Sequence, residues 1–277
     1  MDSVQFYKMS GSGNDFIFVD NRAQSFPYDD PARAAQLLCR RGMSVGADGL
    51  VLIESTDDPS LDFRWRFYNA DGSEADMCGN AARCAARLAH MLGISGTETS
   101  FLTGAGIIRA GVLESGRVKL AMPDPKDTEL GRILTISGKK YDYHYSDTGV
   151  PHAVLVMSDV ARMDVAALGS AVRYHEDFAP HGANANFVRV EKDATVTIRT
   201  YERGVEAETL ACGTGAVAAA VTLALAGDIS PPVTLIPTST IPLVVHFTKN
   251  TNDVTDVYLE GDARLIYTAT VYTDALT

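Results

Sequence analysis

A chain of 277 residues, 46% hydrophobic and 21% charged, has the balance of a globular protein and enough length for two domains. Its net charge of -11 excludes a surface built for nucleic acid or anionic lipid, since no run of Lys or Arg supplies a local basic patch. No stretch reads as a membrane span, and Met1-Asp2-Ser3-Val4-Gln5 lacks the basic-then-apolar pattern of a secretory signal, so the expected compartment is the cytoplasm, where thiols stay reduced.

Residues 4–8 and 16–20 read as strands around a loop from Met9 to Asp15. Pro31 opens a helix over 31–41 that Gly42 stops. Val45 to Gly49 form a turn feeding the apolar run Leu50–Ile53, and 63–68 alternate as a half-buried strand ended by Asn69-Ala70-Asp71-Gly72. Met77-Cys78-Gly79-Asn80 leads into an alanine-rich helix stopped by Gly93, and short strands follow to about Met122. The prolines of Pro123-Asp124-Pro125-Lys126-Asp127 mark a linker. This divides the chain into an N-terminal half, 1–122, carrying Cys78, and a C-terminal half, 123–267, carrying Cys212, with a last strand in 268–277 returning to the first half. The second half shows strands near 141–146 and 153–157, a helix over 165–172, and strands near 186–190 and 195–201. A second alanine-rich helix runs from Cys212 to Ala226, stopped by Gly227, and strands fill the rest.

None of the four cysteines forms a C-x-x-C pair, and no His-rich spacing suggests zinc. A lone cysteine in a reducing compartment is usually a small buried hydrophobe. Two of these are not alone. Residues 78–93 read CGNAARCAARLAHMLG and 212–227 read CGTGAVAAAVTLALAG; without gaps, the Cys-Gly start, three alanines and the final glycine coincide. Each follows a strand and an acidic loop. Two unrelated helices with buried thiols would also produce alanine coincidences. Equal start and stop signals point instead to a duplicated domain with one cysteine at the same place in each copy.

That place has chemical meaning. Unbonded N–H groups and the helix dipole stabilise a thiolate at a helix N-terminus, and the same groups bind a carboxylate. Gly79 and Gly213 let that backbone approach a ligand closely. Inverting a carbon needs a base on one face and an acid on the other, and cysteine serves as either because its ordinary pKa of about 8.5 lies near working pH. Two such thiols would epimerise an amino acid with no pyridoxal phosphate. The fold expected is α/β (α+β): two pseudo-symmetric domains, each a mixed barrel-like sheet around a central helix.

Several motifs in order carry a family resemblance: Gly11-Ser-Gly-Asn-Asp-Phe16, Gly46-Ala-Asp-Gly49, Phe67-Tyr-Asn-Ala-Asp-Gly-Ser-Glu74, Cys78-Gly-Asn80, Pro151-His152, Asn184-Ala-Asn-Phe187, Tyr201-Glu-Arg-Gly204 and Cys212-Gly-Thr-Gly215. Over essentially its whole length the chain resembles the diaminopimelate epimerase family, whose members interconvert LL- and meso-2,6-diaminoheptanedioate in the pathway to lysine and peptidoglycan precursors. The resemblance implies catalytic roles for Cys78 and Cys212. It implies substrate contacts at Asn14, Asn69, Gly79, Asn80, Asn184, Glu202, Arg203, Gly213 and Thr214. Arg203 would clamp the distal carboxylate, Glu202 and the asparagine carbonyls would receive ammonium protons, and His152 and Glu202 would tune the thiols. It also implies no cofactor, no metal, and a homodimer. Two positions depart from the pattern: many members carry Asn where Val150 stands, and some carry Gln where Gly49 stands.

Three other readings compete. Gly213-Thr-Gly215-Ala-Val-Ala218 matches G-x-G-x-x-A, the signature of an NAD-dependent oxidoreductase, but the acidic stretch before it is unlike a buried parallel strand. A proline racemase-type or phenazine-pathway-type isomerase would share the fold. A non-catalytic amino-acid binding module would not need the thiols.

Overall fold

A computed structural model describes residues 3–251 and 253–276. The chain forms two compact units: Met1–Leu120 with Gly261–Thr277, and Ala121–Glu260.

In the first unit β1 (Ser3–Gly11) and β2 (Asn14–Asp20) make an antiparallel hairpin. The loop expected from Met9 to Asp15 shrinks to Ser12 and Gly13, because both take positive φ, 52° and 102°, and a two-residue turn of that kind matches the twist of its strands. Helix α1 (Pro31–Leu38) crosses over to β3 (Gly49–Glu54), parallel to β2. It stops short of the expected residue 41 because the amides of Gly46 and Ala47 turn back onto the carbonyls of Leu38 and Cys39. β4 (Phe63–Asn69) lies antiparallel to β3, and α2 (Gly79–Met91) crosses over to β5 (Glu98–Thr103), parallel to β4. β6 (Gly106–Val112) and β7 (Val118–Ala121) continue as a meander.

In the second unit β8 (Lys126–Ile136) and β9 (Lys139–Asp147) form a hairpin, and β10 (Pro151–Val156) pairs with β9. The expected linker is therefore shorter, since β8 already starts at Lys126. Helix α3 (Val165–Arg173) leads to β11 (Asn184–Val190), parallel to β10; β12 (Val196–Glu202) is antiparallel to β11 and carries the short β13 (Ala207–Thr209). Helix α4 (Gly213–Ala226) crosses over to β14 (Val233–Ile236), parallel to β12, followed by β15 (Leu243–Lys249) and β16 (Val254–Gly261). The final strand, β17 (Arg264–Tyr272), pairs with β1 from Ser3↔Tyr272 to Ser10↔Arg264.

One plan is thus built twice. Hairpin, crossover through an outer helix, antiparallel return, crossover through a cysteine-headed helix and three-strand meander recur in the same order. β1 answers to β9, β2 to β10, β3 to β11 and β4 to β12. The ladder row Phe16↔Gly49↔Asn69 of the first unit answers to the row begun by His152↔Asn184 in the second.

Burial explains why the cysteine-headed helices are rich in alanine. Ala81, Ala82, Ala85, Ala86 and Ala89 of α2 are fully buried, so strands can close around the helix at short range. α4 is buried on every side over Gly215–Ala224, where Val217, Val221 and Leu223 each contribute about 1.5–3 kcal/mol on burial. α4 packs with Val154, Val188 and Ile198 in one core, while Leu155, Phe187 and Tyr201, which alternate with them along the strands, form the core under α3.

Candidate active site

Cys78 is the N-cap of α2, its backbone extended at φ -145° and ψ 118°. The peptide groups after it enter the helix, with Ala82 N–H donating to Cys78 O at 2.8 Å. A relay of amides surrounds this turn. Arg83 Nη2 donates to Asn80 Oδ1 and to Ser12 Oγ, each at 2.7 Å; Asn80 Nδ2 donates to Asn14 Oδ1 at 2.7 Å; Asn14 Nδ2 donates to Asp48 Oδ2 at 2.8 Å. Asn80 Oδ1 and Asn14 Oδ1 therefore each keep one acceptor position for another donor. Asn69 ends β4, with Nδ2 on Ser73 Oγ at 3.0 Å. Gly79 has room: a Cβ there would meet only Leu120 at 3.9 Å.

Cys212 is the N-cap of α4 in the same extended geometry, φ -117° and ψ 115°. Its Sγ accepts from Gly215 N–H at 3.4 Å and lies 3.4 Å from Thr214 Oγ1. Thr148 Oγ1 donates to Thr214 O at 3.0 Å, which ties the turn beside Val150 to the start of the helix. Asn184 is buried, donating to Pro151 O at 3.0 Å and accepting from the backbone N–H of Arg203 at 2.7 Å. The Arg203 guanidinium makes one hydrogen bond, to His181 O at 3.4 Å, and no carboxylate among the described residues pairs with it. Glu202, the residue before it, ends β12. Burial raises the Glu202 carboxyl above its ordinary value, tempered by the nearby Thr209 hydroxyl.

His152 is fully buried. Burial, reinforced by the positive field of Arg203, pushes it from 6.5 down to about 3. The ring is neutral at physiological pH, so the imidazolium that would lower a thiol pKa by its charge is not the form present. Asn186 fixes its tautomer. Asn186 Oδ1 accepts from Thr200 Oγ1 at 3.0 Å, leaving Nδ2 to donate to Ala153 O at 3.1 Å and to His152 Nδ1 at 3.0 Å. The ring proton must then sit on Nε2, which has no partner among the described residues. A Cβ on Gly215 would lie 2.3 Å from Asn186 Oδ1, so this helix position has to be glycine.

Asn186, Thr200 and Arg83 are absent from the sequence-based set. Asn184 and Asn186 share a strand face by their spacing of two, a signal available in the motif itself. The acids of the loop before Cys212 are taken up structurally: Glu206 pairs with Arg173 at 3.2 Å and Glu208 grips Arg199 through two bonds of 2.7 and 2.8 Å. The remaining cysteines are inert, since burial pushes the thiols of Cys39 and Cys84 up to about 12. The dinucleotide reading fails on topology. The strand before Gly213-Thr-Gly215 is a three-residue antiparallel piece, not a buried parallel strand.

Comparison with known proteins agrees with this geometry. The family profile described as diaminopimelate epimerase matches residues 6–126 and 144–266. The chain is 42% identical over 272 residues to the diaminopimelate epimerase of Aquifex aeolicus (strain VF5), covering 95% of this chain and 96% of that protein. It is 40% identical over 269 residues to that of Hydrogenobaculum sp. (strain Y04AAS1), covering 94% and 95%. Among solved structures, a PhzF-family phenazine biosynthesis protein of Bacillus anthracis superimposes with a TM-score of 0.71 at 15% identity, covering 98% of this chain and 100% of that one. A probable proline racemase from Agrobacterium radiobacter K84 does so with a TM-score of 0.68 at 15% identity, covering 97% and 93%. At that identity the two structures speak for the fold alone, two pseudo-symmetric domains.

Proposed function

The chain belongs to the diaminopimelate epimerase family, and on that premise we propose that it interconverts LL- and meso-2,6-diaminoheptanedioate by proton transfer between two thiols and the α-carbon. A thiolate takes the α-proton, and the electron pair left on carbon spreads into the adjacent carboxylate. The partner thiol delivers its proton to the opposite face and becomes the thiolate. Cys78 and Cys212 are the residues for these two roles. The observation that supports them is the recurrence of an extended N-cap cysteine followed by glycine at the same step of a duplicated plan.

The neighbouring groups suit the substrate. Backbone N–H groups at Gly79 and Asn80, and at Gly213 and Thr214, stabilise charge developing on the α-carboxylate. Arg203, with no carboxylate of its own, takes the distal carboxylate bidentately. Asn14, Asn69, Asn80, Asn184 and Glu202 accept hydrogen bonds from the ammonium groups through their remaining acceptor positions. His152 acts as a neutral Nε2–H donor, and the raised Glu202 carboxyl keeps negative charge low beside the second thiol. Proline would leave Arg203 unused, which favours the diamino diacid over a racemase substrate. The protein works as a homodimer in the cytoplasm; no helix among the described residues is long and apolar enough to cross a membrane.

The test is exchange of the α-proton in deuterated water, with LL- and meso-diaminoheptanedioate against proline, by reduced protein and by Cys78→Ser and Cys212→Ser. Exchange with both diaminoheptanedioates that is lost in each variant is the expected result. Its absence with the wild-type protein would overturn the substrate assignment. Light scattering tests the dimer.

A further inference from the structure

Arg83 stands on α2 five residues beyond Cys78, and its side chain is fully buried. Helical side chains lean toward the N-terminus, so the guanidinium reaches back over the first turn. It donates to Gly79 O at 3.4 Å, to Asn80 Oδ1 and Ser12 Oγ at 2.7 Å, and to Asp262 O at 3.3 Å. Every acceptor is a carbonyl, amide or hydroxyl oxygen; none of its hydrogen bonds goes to a carboxylate. Asp262 Oδ1 faces the cluster but is occupied by Ser12, from N at 2.8 Å and Oγ at 3.0 Å, while Oδ2 lies 3.0 Å from Arg264 Nε. Arg117 adds positive charge near the guanidinium, and Cys84 stays a thiol. A guanidinium remains protonated even when buried. The first turn of α2 therefore rests on a net positive, poorly compensated charge.

The helix of the second unit carries no such charge; Arg203, whose field reaches His152, stands on the turn after β12. The residue of α4 aligned with Arg83 is Val217, fully buried in the apolar core. Polarity comes there from the sheet, through neutral His152, Asn186 and Thr200. The residues at those ladder positions in the first unit are Phe16, Val51 and Phe67, with the two phenylalanine rings 6.0 Å apart, edge to face. Duplication has kept the thiols and exchanged their supports: a cation on the helix in one half, an uncharged network on the strands in the other.

We propose that Arg83 is a positioning residue that locks Ser12, Asn14 and Asn80 onto the first turn of α2 and makes Cys78 the thiolate of the resting cysteine pair. Cys212 is then the resting thiol, and the stereoisomer whose α-hydrogen faces Cys78 is the one the free enzyme accepts without a prior proton shift. The inference rests on the two-thiol reading of the site, but its test needs no substrate, so the two fail separately.

The test is the pH dependence of iodoacetamide alkylation, followed by mass spectrometry. In a Cys212→Ala background, Arg83→Met should raise the Cys78 alkylation midpoint by about one pH unit, a tenfold loss of thiolate at a fixed pH below the midpoint. Arg83→Lys should return most of that shift, which a purely structural role would not. In a Cys78→Ala background, Arg83→Met should leave the Cys212 midpoint unchanged. An unchanged Cys78 midpoint, or equal shifts at both cysteines, overturns the proposal. Should Arg83→Met fail to fold, Asp262→Asn removes the carboxylate facing the guanidinium and should lower the Cys78 midpoint; a rise or no change overturns it.

Discussion

Acid should weaken this protein through His152 before it protonates most carboxylates. The unfolded chain binds a proton at His152 near pH 6.5, whereas burial holds the folded side chain at about 3. Above 6.5 neither state binds the proton and the residue contributes no pH dependence. Between 6.5 and 3 the unfolded state binds a proton that the folded state refuses, so stability falls as pH falls, at about 1.4 kcal/mol per pH unit. At about pH 5 the loss is about 2 kcal/mol, a large share of the 5–15 kcal/mol typical of a folded domain. Urea unfolding of the wild-type protein and of His152→Gln, measured at several values between about pH 7.5 and about pH 5, isolates the term. The substitution shifts the whole curve, but only His152 can supply the extra slope. The wild-type stability should drop more steeply than the variant's below about pH 6.5. Parallel profiles would refute the burial argument and, with it, the neutral Nε2–H form.

The duplicated plan yields a paired test. Gly215→Ala drives a Cβ into Asn186, whose amide is held by three hydrogen bonds, and should cost about 2–4 kcal/mol in chemical denaturation and disturb the thiol that Gly215 N–H contacts. The aligned position in the first unit is already Ala81, so Ala81→Gly should cost only about 1 kcal/mol from helix propensity. Arg203→Ala should raise KM for diaminoheptanedioate by roughly ten- to a hundredfold, the value of a charge-assisted hydrogen bond; an unchanged KM in steady-state assays would remove Arg203 from substrate binding. Gly49→Ala would place a Cβ 2.6 Å from the Phe67 ring and 2.7 Å from Tyr68 O, so a loss of about 1–3 kcal/mol in thermal melting is expected. This crowding also shows why a longer side chain such as Gln does not fit at this position of the chain.

Start and stop signals made both cysteine-headed helices legible, because a helix N-terminus and a glycine C-terminus are local features. What stayed hidden was non-local. β8 was missed because its side chains are mostly exposed and its pairing with β9 shifts register twice, so no period-two alternation survives in the sequence. Arg83 looks like a solvent-facing charge on an amphipathic helix, and only the closing of strands around α2 buries it. The charge state of His152 could not be read from Pro151-His152 either, since it depends on burial and on Arg203, and its tautomer depends on Asn186 and Thr200 arriving from two other strands. The departure at Val150 remains without a side-chain substitute. Thr148, the polar residue of that turn, is committed to the Thr214 carbonyl.

The pairing of β17 with β1 has a consequence for the order in which the molecule is completed. As the chain emerges from the ribosome, the second unit has all its strands before Asp262 and β17 have been made. Until then β1 shows an open edge, a template for unwanted strand addition, and Ser12 lacks the carboxylate that anchors it. The thiol translated first is therefore finished last. A nascent chain that could already build the cradle of Cys212 still waits for β17 to build that of Cys78, which ties the appearance of a working pair to the synthesis of that strand.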